Sequence, residues 1–318
     1  MNLKDLLNTD SVLLVGDTYG SLRESAFSIY LLKEMSDLAL NNMVTFVCDG
    51  MVRALALKTD FWTPVTDIVY QDSEFERCAT VLSYQAKSKD RRTYTLEAAE
   101  LNQSVVTLLS DLLVSGNACE CAGGSRAYIF AYSPERQERI QLLFKTEVEP
   151  YFDLATAAIL EVGCGNGMAT AALRDLGYNV YAFDSDKCTV CEGLLHEALQ
   201  KEKTLVLDGR YLSRYDFSKY YRFDCVVGFM LGEIYEFNKA DWKRILGEAA
   251  AIISDGLFVF TVHKKEEADF VYSVMEDMGI KGKLVDNRSD TSIYDQWVYL
   301  GVKGDVRPIT QSENVPNS

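Results

Sequence analysis

One segment constrains the fold of this chain more than any other: residues 158–184 read AILEVGCGNGMATAALRDLGYNVYAFD. It begins with an apolar run over 159–162, which is typical of a buried strand. It ends with a second apolar run that stops at Asp184. Between them lie a glycine-rich turn and a stretch suited to a helix, 168–176. This order of elements predicts an α/β fold with a parallel sheet.

The glycine-rich turn predicts binding of a nucleoside-containing cofactor. Its glycines, Gly163, Gly165 and Gly167, stand at alternate positions. Glycine adopts positive φ at little cost and lets a ligand approach the backbone closely. A strand that enters a helix through such a turn leaves N–H groups at its carboxyl end. Asp184 follows Gly163 by about 20 residues, the spacing at which an acid accepts hydrogen bonds from both ribose hydroxyls.

Two alternatives remain for this segment. Asp186 is a second candidate for the ribose acid, although Asp184 is favoured because it directly follows the apolar run. The turn can also be a plain tight connection between strand and helix without a ligand. The flanking strand, Glu161 and Asp184 favour the binding interpretation.

The motif E-V-G-C-G-N-G, which runs from Glu161 to Gly167, departs from the dinucleotide fingerprint G-x-G-x-x-G. It resembles the first motif of the class I S-adenosylmethionine (SAM)-dependent methyltransferases, and the resemblance covers roughly residues 150–304. The resemblance implies a Rossmann-like seven-stranded sheet, SAM as the cofactor and a loop that holds its methionine end. It also implies that Asp208 meets the adenine amino group, although Asp208 can be an ordinary strand-end turn residue. The cofactor-binding residues that the resemblance implies are Glu161, Gly163, Gly165, Gly167, Asp184, Asp208, Gly209 and Phe229.

Further apolar runs suit the remaining strands of such a sheet. They lie at 203–208, 223–230, 257–263, 283–285 and 296–302. Two helix patterns separate them, 241–254 and 266–278. The resemblance implies that the last two strands form an antiparallel edge.

The segment after the predicted fourth strand is where this family shows its substrate type. Amino-methylating DNA enzymes carry a D/N-P-P-Y/F loop there, and this chain has no Pro-Pro in that place, which disfavours that branch. It offers Glu233, Tyr235 and Glu236 instead. The two carboxylates can orient an amine or act as a base, or they can be the exposed start of a helix. His263 closes the predicted fifth strand at the same edge and is either a general base or a structural histidine. We therefore take Glu233, Glu236 and His263 as the catalytic candidates.

Composition excludes some classes of function. The formal net charge is −15 over 318 residues, which disfavours a protein that coats phosphate backbones. No apolar run is long enough for a membrane span, and the N-terminus lacks the pattern of a secretory signal. Eight cysteines are too dilute for a disulfide scaffold, so a cytoplasmic location is predicted. A zinc site built from Cys119, Cys121, Cys188 and Cys191 is disfavoured because no second C-x-x-C exists, and no metal is predicted.

The length predicts about two domains. Ser133-Pro134 is a good start for a helix, and we place the boundary there: a smaller α/β domain over 1–133, a methyltransferase domain over 134–304 and a disordered tail over 305–318. In the first domain, strand patterns at 12–16 and 43–48 flank a helix pattern. This is either a degenerate Rossmann-like unit or an ordinary βαβ unit.

The rest of the first domain contains a basic segment and a helix pattern. The basic segment 87–92 reads as a loop, and 95–115 reads as a helix. The expected role of the domain is substrate recognition or assembly.

The sequence thus predicts a SAM-dependent methyltransferase that acts on a small molecule or a protein side chain, and that can form a homo-oligomer. Two alternatives stay open. One is an RNA or DNA methyltransferase whose first domain reads the nucleic acid. The other is a cofactor-binding regulatory subunit without turnover.

Overall fold

The structure of the chain is a computed structural model. It describes residues 3–7, 42–58, 62–66, 90–115, 133–152, 156–214, 222–290, 292–306 and 308. Contacts divide the chain into two compact units, one made of 1–125 and 182–222 and the other of 126–181 and 223–318. The boundary near Ser133 stays a prediction.

A four-stranded sheet forms part of the first unit. Its strands are β1 (Asn42–Cys48), β2 (Met51–Lys58), β3 (Trp62–Thr66) and β4 (Asp90–Thr95), in the order β3-β2-β1-β4. β1 is antiparallel to β2 and parallel to β4. The described helices of this unit are α1 (Leu3–Leu7), α2 (Ala98–Val114) and, much later in the chain, α5 (Lys187–Leu195).

A hairpin in this sheet was missed from the sequence. The predicted strand at 43–48 is confirmed, but the chain then turns through Asp49 (φ 54°) and Gly50 (φ 76°) directly into β2. An Asp-Gly pair with positive φ at both residues is the two-residue turn that best matches strand twist. β2 buries residues 54–57, so it contributes to the core. The preceding strand and helix of the predicted βαβ unit lie outside the described residues.

The prediction of a basic loop over 87–92 is wrong for its last residues. Residues 90–92 belong to β4, which pairs with β1. Thr93, Tyr94 and Thr95 have high β propensity, and Tyr94 stacks on Phe46 of β1 with ring centroids 5.8 Å apart.

The larger sheet has seven strands, as predicted. They are β5 (Ala158–Val162), β6 (Asn179–Asp184), β7 (Thr204–Val206), β8 (Cys225–Gly228), β9 (Gly256–Val262), β10 (Lys281–Asp286) and β11 (Trp297–Lys303). Their order is β10-β11-β9-β8-β5-β6-β7. β5, β8 and β9 are parallel, whereas β11 is antiparallel to both β9 and β10, which confirms the expected antiparallel edge.

The strand order creates a switch point beside β5. From β5 the chain continues to β6 and β7 on one side, and then returns to β8 and β9 on the other. In open α/β sheets, ligands bind outside the carboxyl ends of the strands at such a point. The loops after β5 and β8 are therefore where a ligand is expected.

Helices of the second unit follow the predicted positions closely. They are α3 (Pro134–Glu147), α4 (Met168–Asp175), α6 (Lys239–Ile252) and α7 (Lys265–Asp277). Ser133 caps α3 as predicted, since its hydroxyl accepts a hydrogen bond from the Arg136 N–H at 3.0 Å. Phe144 of α3 is fully buried and makes an edge contact with Tyr178 at 5.5 Å between centroids. This core fixes α3 against the elements that carry the glycine loop.

Candidate active site

The glycine loop after β5 has the backbone that its sequence predicts. Gly163 (φ 70°), Gly165 (φ 53°) and Gly167 (φ 82°) are all left-handed. The Gly167 N–H donates to the Cys164 carbonyl at 2.9 Å, which closes the turn into α4. A Cβ placed on Gly165 would meet no atom within 4 Å. The loop therefore leaves open space against its own backbone, as a bound cofactor requires.

Glu161 lies beneath this loop and is buried, with 1% of its surface exposed. Its Oε2 accepts a hydrogen bond from the Thr170 hydroxyl at 2.5 Å. Thr170 is in the first turn of α4, so this bond joins the strand before the loop to the helix after it. The predicted cofactor residue Glu161 thus braces the turn from below.

The two candidates for the ribose acid have different local roles. Asp186 caps α5, because its Oδ1 accepts hydrogen bonds from the N–H groups of Cys188 (2.8 Å) and Thr189 (3.4 Å). Asp184, at the end of β6, is half-buried and accepts the Asp186 N–H at 2.8 Å. The helix cap occupies Asp186 and favours Asp184 as the acid that faces a ligand.

Asp208 is held by its neighbour Arg210. The Arg210 side chain donates to both carboxylate oxygens, with Nη2 2.7 Å from Oδ2 and Nε 3.0 Å from Oδ1. Gly209 begins a short 3-10 helix, Gly209–Arg214. The pair orients the Asp208 carboxylate, so an adenine contact there would share that carboxylate with a guanidinium.

Phe229, a predicted cofactor contact, lies in the hydrophobic core. It is 5% exposed, and its ring centroid is 6.0 Å from that of Phe144. Phe229 therefore packs inside the hydrophobic core and does not face solvent.

The acidic residues after β8 lie at the surface in ion pairs. Glu236 pairs with Lys239 and is 87% exposed at its side chain. Glu233 has an oxygen 3.9 Å from the Lys264 ammonium, which also lies 5.6 Å from the centre of the Tyr235 ring. The structure thus brings Glu233, Tyr235 and Lys264 together. Glu236 instead pairs with Lys239, the first residue of α6.

His263 follows β9 and has a defined ring orientation. Its Nδ1 lies 2.8 Å from the Ile293 carbonyl oxygen. A carbonyl only accepts, so Nδ1 carries the proton in the neutral ring, and the Nε2 lone pair remains for a further proton. This arrangement suits a general base.

A buried polar cluster near the same strand ends was missed from the sequence. Arg136 (6% exposed) and Asp295 (3%) form an ion pair at 2.7 Å, and Asp295 also accepts the Thr261 hydroxyl at 2.5 Å. Thr261 in turn accepts the Met230 N–H at 2.8 Å. These residues lie far apart in the sequence, and no local pattern marks them. The only sequence signal for this cluster is the short segment S-I-Y-D-Q, residues 292–296, which lies between two apolar strands and contains Asp295.

Within the described ranges, no group of three or more His, Cys, Asp or Glu side chains could hold a metal ion. Cys188 is exposed and Cys191 is buried, and Cys119 and Cys121 lie outside those ranges. None of the described helices is both long and apolar enough to cross a membrane.

The fold and the site define a class of protein: a Rossmann-like enzyme with a glycine loop for a nucleoside-containing cofactor at the sheet's switch point. A family profile described as a methyltransferase domain matches residues 132–307, more than half of the chain. The chain therefore belongs to the class I SAM-dependent methyltransferases, and its cofactor is SAM. No curated protein matches it.

Solved structures with a similar fold include several methyltransferases. Magnesium protoporphyrin IX methyltransferase from Synechocystis, with bound SAM, is 15% identical with a TM-score of 0.41, over 63% of this chain and 97% of that one. A Streptomyces achromogenes O-methyltransferase of tomaymycin synthesis is also 15% identical, with a TM-score of 0.40 over 66% and 100%. The N-methyltransferase NodS from Bradyrhizobium japonicum is 14% identical, with a TM-score of 0.38 over 53% and 93%.

Proposed function

We propose that the chain transfers a methyl group from SAM to a small molecule or a protein side chain, which binds at the loop after β8. The observation that carries the proposal is the glycine loop, which has three left-handed glycines beside the switch point of the sheet. When bound, SAM supplies an electrophilic methyl group on a sulfonium. The protein's main task is then to hold a nucleophile in line with that methyl group.

We assign the cofactor to the glycine loop and to Asp184. The backbone of the glycine loop would hold the methionine end, with Glu161 and Thr170 bracing the turn. Asp184 would accept the ribose hydroxyls, because Asp186 is occupied as the cap of α5. Asp208, oriented by Arg210, would accept the adenine amino group.

We assign the acceptor to the side chains that follow β8 and β9. His263 is the proposed general base, since its Nδ1–H is fixed on a carbonyl and its Nε2 can take a proton. Glu233 and the Tyr235 ring already surround the Lys264 ammonium, which supports an acceptor that carries an amine. Glu236 would contribute to the same acidic surface.

The first experiment is calorimetry with SAM on wild type, Asp184→Ala and Asp186→Ala. Asp184→Ala should weaken binding by about 10- to 100-fold, because two charge-assisted hydrogen bonds are lost. Asp186→Ala should lower the unfolding free energy by about 1 kcal/mol through the lost cap, with SAM affinity within about threefold of wild type. Equal losses of affinity in both variants would contradict the assignment of Asp184.

The second experiment separates the acceptor classes. Tritiated SAM is incubated with the protein and with the small-molecule, protein and nucleic-acid fractions of a cell lysate. Label in the first two fractions supports the proposal. Salt-sensitive labelling of nucleic acid alone would replace it with the nucleic-acid alternative, because contacts with phosphates weaken steeply with salt.

A further inference from the structure

A buried ion pair lies behind the loop that follows β8. Arg136, in the first turn of α3, donates from Nε to Asp295 Oδ2 at 2.7 Å and from Nη2 to Oδ1 at 3.4 Å. The guanidinium also lies 4.5 Å from the centre of the Tyr294 ring. Desolvation offsets most of the attraction in such a pair, so its contribution to net stability is small. Its effect lies in what it orients.

Thr261 connects the ion pair to the loop. Its hydroxyl donates to Asp295 Oδ1 at 2.5 Å and accepts the Met230 N–H at 2.8 Å. An ionised carboxylate can only accept, so the single hydroxyl proton points to Asp295 and a lone pair points to Met230. The Leu231 N–H donates to the Thr261 carbonyl at 3.1 Å. The charge on Asp295 thereby fixes the backbone immediately after β8.

The two residues joined through Thr261 both have strained backbones. Met230 and Asp295 each have φ 53°, and the Asp295 N–H lies 3.1 Å from the Met230 sulfur. Left-handed backbone at a residue other than glycine persists only where the surroundings enforce it, and it concentrates at functional sites. Met230 lies at the point where the chain leaves β8 for residues 230–236, which we call the acceptor-side loop.

The loop is fixed independently at a second point. Buried Glu267 accepts the Ile234 N–H at 3.1 Å and the Lys264 N–H at 2.9 Å. Gly232 and Glu233 lie exposed between the two attachments. The loop is therefore held at Met230 and at Ile234, and it presents Gly232 and Glu233 to solvent.

We propose that Arg136, Asp295 and Thr261 are positioning residues for methyl transfer: they hold the acceptor-side loop in the one conformation that aligns the acceptor. The inference rests on the proposed function and deepens it by naming side chains outside the loop on which acceptor alignment depends. Residues 163–167 make none of these bonds, so loss of the network should leave cofactor affinity intact while transfer fails.

The test compares Thr261→Val, which has nearly the same shape, with Thr261→Ser, which keeps the hydroxyl. Three quantities are measured well below the unfolding temperature. They are calorimetric affinity for S-adenosylhomocysteine, the rate of tritium transfer to the labelled lysate fraction at saturating SAM, and amide hydrogen exchange in peptides covering 228–236. For Thr261→Val we expect transfer to fall at least about tenfold, exchange at the loop to rise about tenfold or more, and affinity to stay within about twofold. Thr261→Ser should recover most of both properties.

The charge is tested with a matched pair of substitutions. Asp295→Asn neutralises the buried partner of Arg136, whereas Asp286→Asn neutralises the exposed carboxylate that Arg288 binds in the same manner, with Nη2 2.6 Å from Oδ2. Asp295→Asn should repeat the pattern of Thr261→Val. Asp286→Asn should change neither transfer nor loop exchange. This arm also serves if Thr261→Val does not fold.

The results separate the inference from the function on which it rests. Normal transfer and normal loop exchange in both Thr261→Val and Asp295→Asn would overturn the positioning role. So would a loss of transfer that only follows a loss of cofactor affinity. If wild type binds SAM but labels no fraction, the proposed acceptor class is wrong, and loop exchange alone decides whether these residues fix the loop.

Discussion

The loops after β5 and β8 follow adjacent parallel strands and both turn through left-handed backbone, but only the second also uses a residue other than glycine. The first uses three glycines, which adopt positive φ without help. The second has one such glycine, Gly232 (φ 94°), and it also holds Met230 in the same region through Thr261 and Asp295, both distant in sequence. The first conformation is therefore encoded locally, whereas the second depends on the assembled fold.

This difference matches what each loop is proposed to bind. A loop of glycines has few side chains, so a ligand can reach its N–H groups, and the space above Gly165 is open. A loop built from larger residues presents side chains, and here it exposes Glu233 and Tyr235. A shared cofactor suits the first arrangement, and a specific acceptor suits the second.

The largest expected effect comes from a substitution in the first loop. Gly165→Ala should weaken SAM binding at least about 100-fold, because the methyl group enters the space left for the cofactor and the left-handed backbone is strained. Calorimetry measures the affinity, and thermal denaturation measures the accompanying loss of stability, expected to be about 1–2 kcal/mol.

Gly177→Ala is the matched control for this substitution. Gly177 ends the turn after α4 with φ 96°, and a Cβ there also meets nothing within 4 Å. The strain is therefore similar, but SAM affinity should stay within about twofold of wild type. A similar loss of affinity in both variants would mean that backbone strain, and not the occupied space, weakens binding.

The contrast between the loops explains how much of the site the sequence could predict. Local patterns predict the glycine loop, from the apolar run before it and the spacing of Gly163 and Asp184. The strands and helices from Ala158 to Lys303 lie within a few residues of their predicted positions. Arg136 and Asp295 lie 159 residues apart in the chain, so no periodic pattern can indicate their pairing. Partners of buried polar groups are set by tertiary packing.

The four-stranded sheet shows a second limit. The Asp49-Gly50 turn was visible in the sequence and is a strong hairpin signal, so missing β2 was an error of interpretation. β4 is different, because its pairing with β1 is parallel and crosses a long connection. Its charged residues look like a loop until the neighbouring strand is known.

An intermediate effect is expected at Gly228, which lies close to Leu231 in the second loop and to Val162 just before the first. A Cβ on Gly228, the last residue of β8, would lie 2.5 Å from Leu231 Cδ2 in the second loop and 3.1 Å from the Val162 carbonyl oxygen before the first. Gly228→Ala should therefore lower the unfolding free energy by about 1–2 kcal/mol in chemical denaturation.

Gly247→Ala provides the contrast in the same unit. It lies inside α6, where a Cβ would meet only the flexible end of Met278 at 3.2 Å. The higher helix propensity of alanine should leave the unfolding free energy unchanged or raise it by up to about 1 kcal/mol. A loss equal to that of Gly228→Ala would mean that the close approach at the end of β8 has no special cost.

The smallest expected effect is that of a glycine at position 230, which would give the second loop the residue type that the first loop uses for left-handed backbone. Met230→Gly removes the strain of φ 53°, about 1–2 kcal/mol, but it adds about 0.5–1 kcal/mol of unfolded-state entropy and removes a half-buried side chain together with its contact to the Asp295 N–H. The unfolding free energy should therefore change by less than about 1 kcal/mol. Met230→Ile keeps the strain and adds a β-branched side chain, so it should destabilise more than glycine does. A loss above about 2 kcal/mol in Met230→Gly would show that the methionine side chain, whose sulfur lies 3.1 Å from the Asp295 nitrogen, contributes more to stability than the relief of backbone strain returns.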